Sequence, residues 1–345
     1  MNELPILDAD TLLDVQDLRV TFFLDEGLLQ ALDGVSFKVR RRKTLGLVGE
    51  SGCGKSVTAQ AIMRIVPKPG KVGGKAILLR KDGETLVDLV ELNPMGSEVR
   101  GIRGAEIAMI FQEPMKAFSP VHTIGDQIME GILLHSTQDK KEAYDIAVET
   151  LARVQISNVA QRMQEYPHQL SGGMRQRAMI AMALACRPAI LIADEPTTAL
   201  DVTVQAQVLR LMRDLQRDFG MALIFITHDM GVIAKMADEV GVMYLGRMVE
   251  FAAVDTVFHE PAHPYTQELL RSIPALDLKP RTRLNAIEGT VPVPLNLPPG
   301  CGFYARCKRA IGGVCDVQNP PVIELAPGHQ VRCFLYGNSG GAFHG

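Results

Sequence analysis

The stretch Gly49-Glu50-Ser51-Gly52-Cys53-Gly54-Lys55-Ser56 decides the fold of this chain. It follows the apolar run Thr44 to Val48 and precedes a helix-compatible segment, so strand, glycine-rich turn and helix start come in succession. In that context successive backbone N–H groups and the positive end of a helix converge on phosphate. Lys55 is placed to reach the β and γ phosphates of a nucleotide, and the Ser56 hydroxyl to join a Mg²⁺ shell, with Val57 next in the opening turn. Cys53 reads as a small filler inside the loop rather than a nucleophile, although alkylating it would crowd the phosphates.

A second block lies far downstream, Leu170-Ser171-Gly172-Gly173-Met174-Arg175-Gln176. After it the short apolar strand Ile190 to Ala193 ends in Asp194 and Glu195, followed by Pro196 and then Ala199-Leu200-Asp201. Adjacent carboxylates at a strand exit have separable uses. One can hold Mg²⁺, and the next can polarise an attacking water.

With both blocks in place the chain resembles the ATP-binding subunits of ABC transporters over nearly its whole length. That resemblance implies an α/β fold, a RecA-like P-loop ATPase core with an ABC helical subdomain and a small Cys-containing C-terminal extension. It also implies a head-to-tail dimer, in which the signature Ser171, Gly172, Gly173 and Gln176 closes on ATP held by the phosphate loop of a second subunit. Further family switches match single residues here. Gln112 in Phe111-Gln112-Glu113-Pro114 matches the glutamine that senses Mg²⁺ and the membrane partner, and Asp201 the carboxylate that communicates across the dimer. His228 in Thr227-His228-Asp229 matches the histidine that contacts the γ phosphate. Phe22 matches the aromatic that stacks on adenine, with Phe23 as the alternative. Taken singly, Gln, His and Phe are ordinary packed or solvated side chains. Their order relative to the two long motifs carries the assignment.

The expected elements fit such a core. Val35–Val39 and Thr44–Val48 read as strands, Lys55–Val66 as a helix and Ile107–Phe111 as a strand. Strand signals then stop until about Gln169, and Lys140–Val154 places Ala143, Ile146, Ala147, Thr150, Leu151 and Val154 on one helical face. Strands resume at Ile190–Ala193 and Ala222–Ile226 around a helix from Val202 to Phe219, and Val240–Tyr244 with Met248–Phe251 reads as a closing hairpin. Strands alternating with helices imply a mostly parallel sheet with the nucleotide at the strand C-terminal ends. The expected division is a nucleotide-binding domain over 1–254, its helical subdomain at about 112–175, and an extension over 255–345.

Composition agrees with a large enzyme. The 345 residues are 47% hydrophobic, enough to bury a substantial core, and the net charge of −3 supplies no basic field for nucleic acid. Arg40-Arg41-Arg42-Lys43 reads as a solvated turn. It replaces the Gly-Glu usual at Arg42-Lys43 in the resembling family. The longest apolar stretch, Ala178 to Ala193, is broken by Arg187 and Pro188 and falls short of a membrane span. The N-terminus shows no signal-peptide pattern, so a cytoplasmic location is expected.

Beyond Asp255 the composition changes. His263-Pro264-Tyr265-Thr266, Leu269-Leu270, Ser272-Ile273-Pro274 and a proline-rich run through Pro299 lead to Gly300-Cys301-Gly302-Phe303 and Arg306-Cys307. This tail resembles that of the oligopeptide, dipeptide and nickel branch of ABC importers. Four of the six cysteines, Cys301, Cys307, Cys315 and Cys333, lie in it. In a cytosolic protein such a group favours metal ligation over disulfides. Spacing leaves zinc, an iron–sulfur centre and free thiols open, while the resemblance implies a [4Fe–4S] cluster, as in some members of that branch.

The expected activity is ATP hydrolysis coupled to import of di- or oligopeptides or a related solute, a translocase function. Glu195 would be general base or water-positioning residue, with Lys55, Ser56, Gln112, Asp194 and His228 around the γ phosphate and Mg²⁺. The partners so implied are a second, non-identical ABC ATPase, two transmembrane permease subunits and an extracytoplasmic solute-binding protein, with this chain peripheral on the cytoplasmic face of the cell membrane. A soluble ABC ATPase of DNA repair or the ribosome is the rival. The interval from Ser56 to Ser171 is too short for a long coiled coil, and one cassette is present rather than two.

Overall fold

The computed structural model describes residues 7–198, 200–273 and 287–337. Ala199 and Pro274, both named above, lie outside them. In chain order the strands and helices are β1 (Thr11–Leu24), β2 (Gly27–Arg40), β3 (Thr44–Val48), α1 (Lys55–Ile62), β4 (Gly70–Leu79), β5 (Leu86–Asp88), α2 (Ser97–Ile102), β6 (Ile107–Ile110), α3 (Pro114–Ala117), α4 (Ile124–His135), α5 (Lys140–Arg153), α6 (Val159–Arg162), α7 (Gly172–Leu184), β7 (Ile190–Asp194), α8 (Val202–Phe219), β8 (Ala222–Thr227), α9 (Met230–Met236), β9 (Glu239–Tyr244), β10 (Arg247–Ala253), α10 (Val254–His259), α11 (Pro264–Arg271), β11 (Val322–Ala326) and β12 (His329–Arg332). They form two compact units, one from the described parts of 1–14, 38–44 and 77–226, the other from 15–37, 45–76 and 227–345.

In the first unit β6, β7 and β8 run parallel, Ile107 opposite Ile190 and Ile190 opposite Ala222. Each is buried along its length, as expected of strands covered on both faces. Between β6 and β7 the chain is helical. Thr123 and Asp126 form a capping box that starts α4, and Asp139 caps α5 through the N–H groups of Lys141 and Glu142. The buried face of α5 includes the expected Ala143, Ala147, Thr150 and Leu151. The expected limits of α8 coincide with the observed ones because both ends carry strong signals: Asp201 accepts from Thr203 and Val204 N–H, and Gly220 closes the helix in the left-handed conformation.

In the second unit β3 pairs parallel with β9, which turns into β10 as an antiparallel hairpin. The two-residue turn is Leu245-Gly246, both at positive φ, the pattern that matches strand twist. The sheet then continues outward through the tail. β12 pairs with β10, Glu250 opposite Val331, and β11 pairs with β12.

Some expectations are corrected. The helix after the phosphate loop ends at Ile62 rather than Val66, because Arg64 takes a left-handed φ of 56° and Pro67 follows. A sheet of order β2-β1-β4-β5 adds β1, β4 and β5 to the expected strands. The basic run is a turn as expected, with Arg41, Arg42 and Lys43 exposed and Lys43 N–H bonded to Arg40 C=O.

Candidate functional site

The phosphate loop is held by glycines at positive φ, two of which, Gly49 and Gly54, leave no room for a side chain. Gly49 leaves β3 at φ 152°, and a Cβ there would lie 2.2 Å from the Met243 carbonyl oxygen. Gly54 has φ 102°, with the Ala31 carbonyl oxygen 2.7 Å from a Cβ, and Gly52 has φ 81° in open space. Gly54 is also the residue from which α1 starts. Lys55 is buried, and its ammonium donates to the Gly49 carbonyl at 2.7 Å and the Glu50 carbonyl at 3.1 Å. Ser56 and Val57, both half-buried, complete the first turn. Cys53 is fully buried, and burial pushes its thiol up against the opposing pull of Lys55, as befits a filler. Phe22 is half-buried over Gly70, while Phe23 is exposed with the Lys71 ammonium 5.0 Å from its ring centroid. His228, exposed, follows the last residue of β8.

The first unit holds an acidic group of its own. Asp194 is the buried last residue of β7, and Glu195 turns out of the strand at a left-handed φ of 46° with its N–H on the Ile226 carbonyl at 2.9 Å. Such a backbone state in a non-glycine residue is held only by surrounding structure, and it aims the carboxylate out of the strand exit. The parallel neighbour β6 ends beside it. Glu195 Oε2 therefore accepts from Gln112 Nε2 at 3.1 Å and from the Thr198 hydroxyl at 2.9 Å. Two expected catalytic residues thus meet. The arrangement can hold a carboxylate oriented toward a water molecule at the C-terminal edge of a parallel sheet.

The signature serine has a local role that its sequence context implies. Ser171 caps α7, its hydroxyl accepting from Met174 N–H at 3.4 Å, so the exposed Ser171 and Gly172 sit at a helix N-terminus. Arg175 pins the preceding turn by donating to the Pro167 carbonyl at 2.8 Å and the His168 carbonyl at 3.1 Å. Gln176 is instead buried in the fold, one turn along from the exposed residues. Asp201 stays exposed and serves α8 as its cap.

The iron–sulfur expectation is not supported. Cys301, Cys307, Cys315 and Cys333 do line one cavity, but its volume is about 20 Å³, room for about one water. Among the described residues no group of three or more His, Cys, Asp or Glu is placed to hold a metal ion. Burial pushes the thiols of Cys301 and Cys307 up, and that of Cys333 to about 11, favouring the protonated form over the thiolate that a cluster needs.

The tail segment His263 to Thr266 contributes what sequence reasoning left without a role. His263 caps α11, its Nδ1 accepting from Tyr265 N–H at 3.0 Å. Burial holds its imidazole down to about 3, so it is neutral, with the remaining proton on Nε2. Between that value and the ordinary 6.5 the unfolded chain binds a proton that the folded chain refuses. Stability contributed by this residue is whole above the upper limit and falls by about 1.4 kcal/mol per pH unit below it. Urea unfolding should show the parent losing about 2 kcal/mol more than His263→Asn between about pH 6.5 and 5, since Asn caps without titrating. Equal losses would remove His263 from this role.

The family model "ABC transporter" matches residues 32–198, and "Oligopeptide/dipeptide transporter, C-terminal region" matches 249–315. The chain is 50% identical to a probable peptide ABC transporter ATP-binding protein of Sinorhizobium fredii, over 94% of this chain and 95% of that one. It is also 50% identical to the oligopeptide transport ATP-binding protein AppD of Bacillus subtilis (96% and 98% covered) and 46% identical to OppD of Escherichia coli (94% of each). Among solved structures, a dimeric post-hydrolysis ATP-binding cassette, MJ0796 bound to ADP and Pi, aligns with TM-score 0.61 at 23% identity, covering 70% of this chain and 98% of that one. This last likeness concerns the fold alone.

Proposed function

Because the chain belongs to the ABC transporter family as an ATP-binding subunit, we propose a specific division of labour among its residues in energising peptide import. The chain is an ATP-hydrolysing subunit of an importer for di- or oligopeptides or a related solute. The observation that supports the residue-level reading is the phosphate loop, where glycines 49, 52 and 54 all hold positive φ and the Lys55 ammonium rests on the Gly49 carbonyl at the start of α1.

Lys55 would hold the β and γ phosphates, with Ser51, Gly52, Cys53, Gly54 and Val57 supplying backbone around them. Ser56, Gln112 and Asp194 would hold Mg²⁺, an oxygen donor set that suits it. When bound, the ion neutralises charge on the phosphate oxygens. Glu195 would orient the attacking water and accept its proton, steered by Gln112, and His228 would contact the γ phosphate. Phe22 would stack on adenine. Ser171, Gly172 and Gly173 would close on nucleotide held by a second ATPase, with Gln176 bracing the helix behind them and Asp201 passing the state of one site to the other.

The partners we infer are a non-identical ATPase, two permease subunits and an extracytoplasmic solute-binding protein, and within the chain we take 1–254 as the nucleotide-binding domain and 255–345 as its C-terminal extension. Among the described residues no helix is long and apolar enough to cross a membrane, and the likeness to ATP-binding subunits of transporters supports a peripheral place, which we put on the cytoplasmic face. Proteoliposomes with the permease pair, this chain and its partner ATPase, supplied with the solute-binding protein on the opposite side, should take up a labelled peptide only when ATP and Mg²⁺ are on the ATPase side. ATP-independent uptake would refute the coupling, and full transport with this ATPase alone would refute the heterodimer.

A further inference from the structure

Glu50 places a carboxylate inside a loop whose task is to receive a polyphosphate. A bare anion there opposes the ligand by like-charge repulsion, most strongly where water is scarce. The structure answers that charge from the tail, 256 residues away along the chain. The Arg306 guanidinium donates to both Glu50 carboxylate oxygens, at 2.7 and 3.0 Å, and its side chain is only 5% exposed. The guanidinium is fixed from several sides. It lies 5.8 Å from the Tyr244 ring centroid and 5.9 Å from that of Phe303, and its Nε donates to the Glu288 carbonyl at 3.0 Å. A forked pair of this kind sets direction as well as charge.

The backbone of the same residue is held by a second tail group. Glu50 N–H donates to the Tyr265 hydroxyl at 2.9 Å. Tyr265 is fully buried, its ring 4.7 Å from that of Tyr244 and 5.3 Å from that of Phe303, centroid to centroid. Its position follows from a buried carboxylate on β10: Glu250 accepts from Ala262 N–H at 2.7 Å and His263 N–H at 2.9 Å, and pairs with His329 Nε2 at 2.9 Å. Tyr336 adds a bond to the Ala262 carbonyl at 2.9 Å. The Glu50 carbonyl in turn receives Lys55 Nζ and, at 3.3 Å, Cys53 N–H. Fixing Glu50 therefore fixes the carbonyl against which the phosphate-binding lysine rests.

We propose that Arg306 and Tyr265 are positioning residues for nucleotide binding: Arg306 cancels the Glu50 charge, Tyr265 holds its backbone, and the tail thereby sets the affinity of the phosphate loop. The inference rests on the reading of residues 49–56 as that loop. It gives the His263 to Thr266 segment its purpose, because that segment is where the chain turns to bring Tyr265 to Glu50.

The test uses the full-length chain, with a fluorescent ATP analogue for binding and steady-state hydrolysis for KM and kcat. Arg306→Gln leaves the carboxylate uncompensated and should raise KM and Kd about tenfold, the scale of one partly screened charge at short range, with kcat within about twofold. Adding Glu50→Gln to Arg306→Gln removes the stranded anion and should restore most of the affinity. A merely structural arginine would give no such rescue. Tyr265→Phe, which keeps the ring packing, should raise KM about threefold to fivefold by freeing one buried N–H. Parent-like KM in both single variants, or a double variant no better than Arg306→Gln, would overturn the proposal. Lys55→Ala separates the two ideas: retained nucleotide binding there would overturn the loop reading itself, whereas lost binding with parent-like Arg306 and Tyr265 variants would overturn only the role of the tail.

Discussion

Glu195→Gln should keep ATP binding within about threefold of the parent chain and lose about 10²- to 10⁴-fold in steady-state hydrolysis, the range a positioned general base supplies. The substitution is nearly isosteric. The amide oxygen can still accept from Gln112 and Thr198, which bond the carboxylate at 3.1 and 2.9 Å, so the strand exit keeps its shape while the proton acceptor disappears. A dimer that has closed on ATP then has no route to reopen by hydrolysis. With the partner ATPase present, it should accumulate as a stable species in size-exclusion chromatography with ATP and Mg²⁺, and be absent with ADP. Turnover within about tenfold of the parent would exclude Glu195 as the base.

A second large effect belongs to the loop backbone. Gly49→Ala places a methyl 2.2 Å from the Met243 carbonyl oxygen at a φ of 152°. The obstruction is main chain, which cannot swing aside as a side-chain tip would. The combined cost of a forbidden backbone state and overlap is about 3 to 5 kcal/mol, enough to weaken nucleotide binding about a hundredfold or more if the loop distorts to escape it. Gly52→Ala is the paired control. It has φ 81° and no atom within 4 Å of the new methyl, so only the left-handed conformation is penalised, about 1 kcal/mol or a factor of about five. Titration with a fluorescent nucleotide should separate the two variants by at least about tenfold. Equal losses would mean that backbone conformation, not the Met243 contact, governs the site.

The sequence signals that read well were those in which a few neighbouring residues determine local geometry. The phosphate loop and the limits of α8 are of that kind: glycines at enforced φ, and Asp201 and Gly220 at the helix ends. The buried strands β6, β7 and β8 read well because unbroken apolar runs have few other uses. Strands β1 and β4 were less legible. β4 runs through three glycines, at Gly70, Gly73 and Gly74, which mask its alternation. In the site, Gln112 and Glu195 are 83 residues apart but flank adjacent strands, so their meeting follows from the parallel order. The contact of Arg306 with Glu50 follows from no periodicity or motif. Glu50 occupies a position that the loop pattern leaves variable, and only the folded tail reveals its partner. The thiols show the opposite failure: spacing was compatible with a cluster, while the cavity they share is about the size of one water.

The pairing of β12 with β10 makes the tail a protective border. Strand β10 is buried over Met248, Val249 and Glu250, and without β12 its outer row of N–H and C=O groups would form an open template for another chain. β11 takes over the outermost position. It is short and mostly exposed, with Glu324 at its middle and a register irregularity between Glu324 and Ala326, features that discourage further strand addition. A cassette cut after Ala253 would therefore not be a smaller version of the same object. It would carry a bare sheet margin and be prone to self-association, so the tail closes the edge of β10 as well as reaching Glu50.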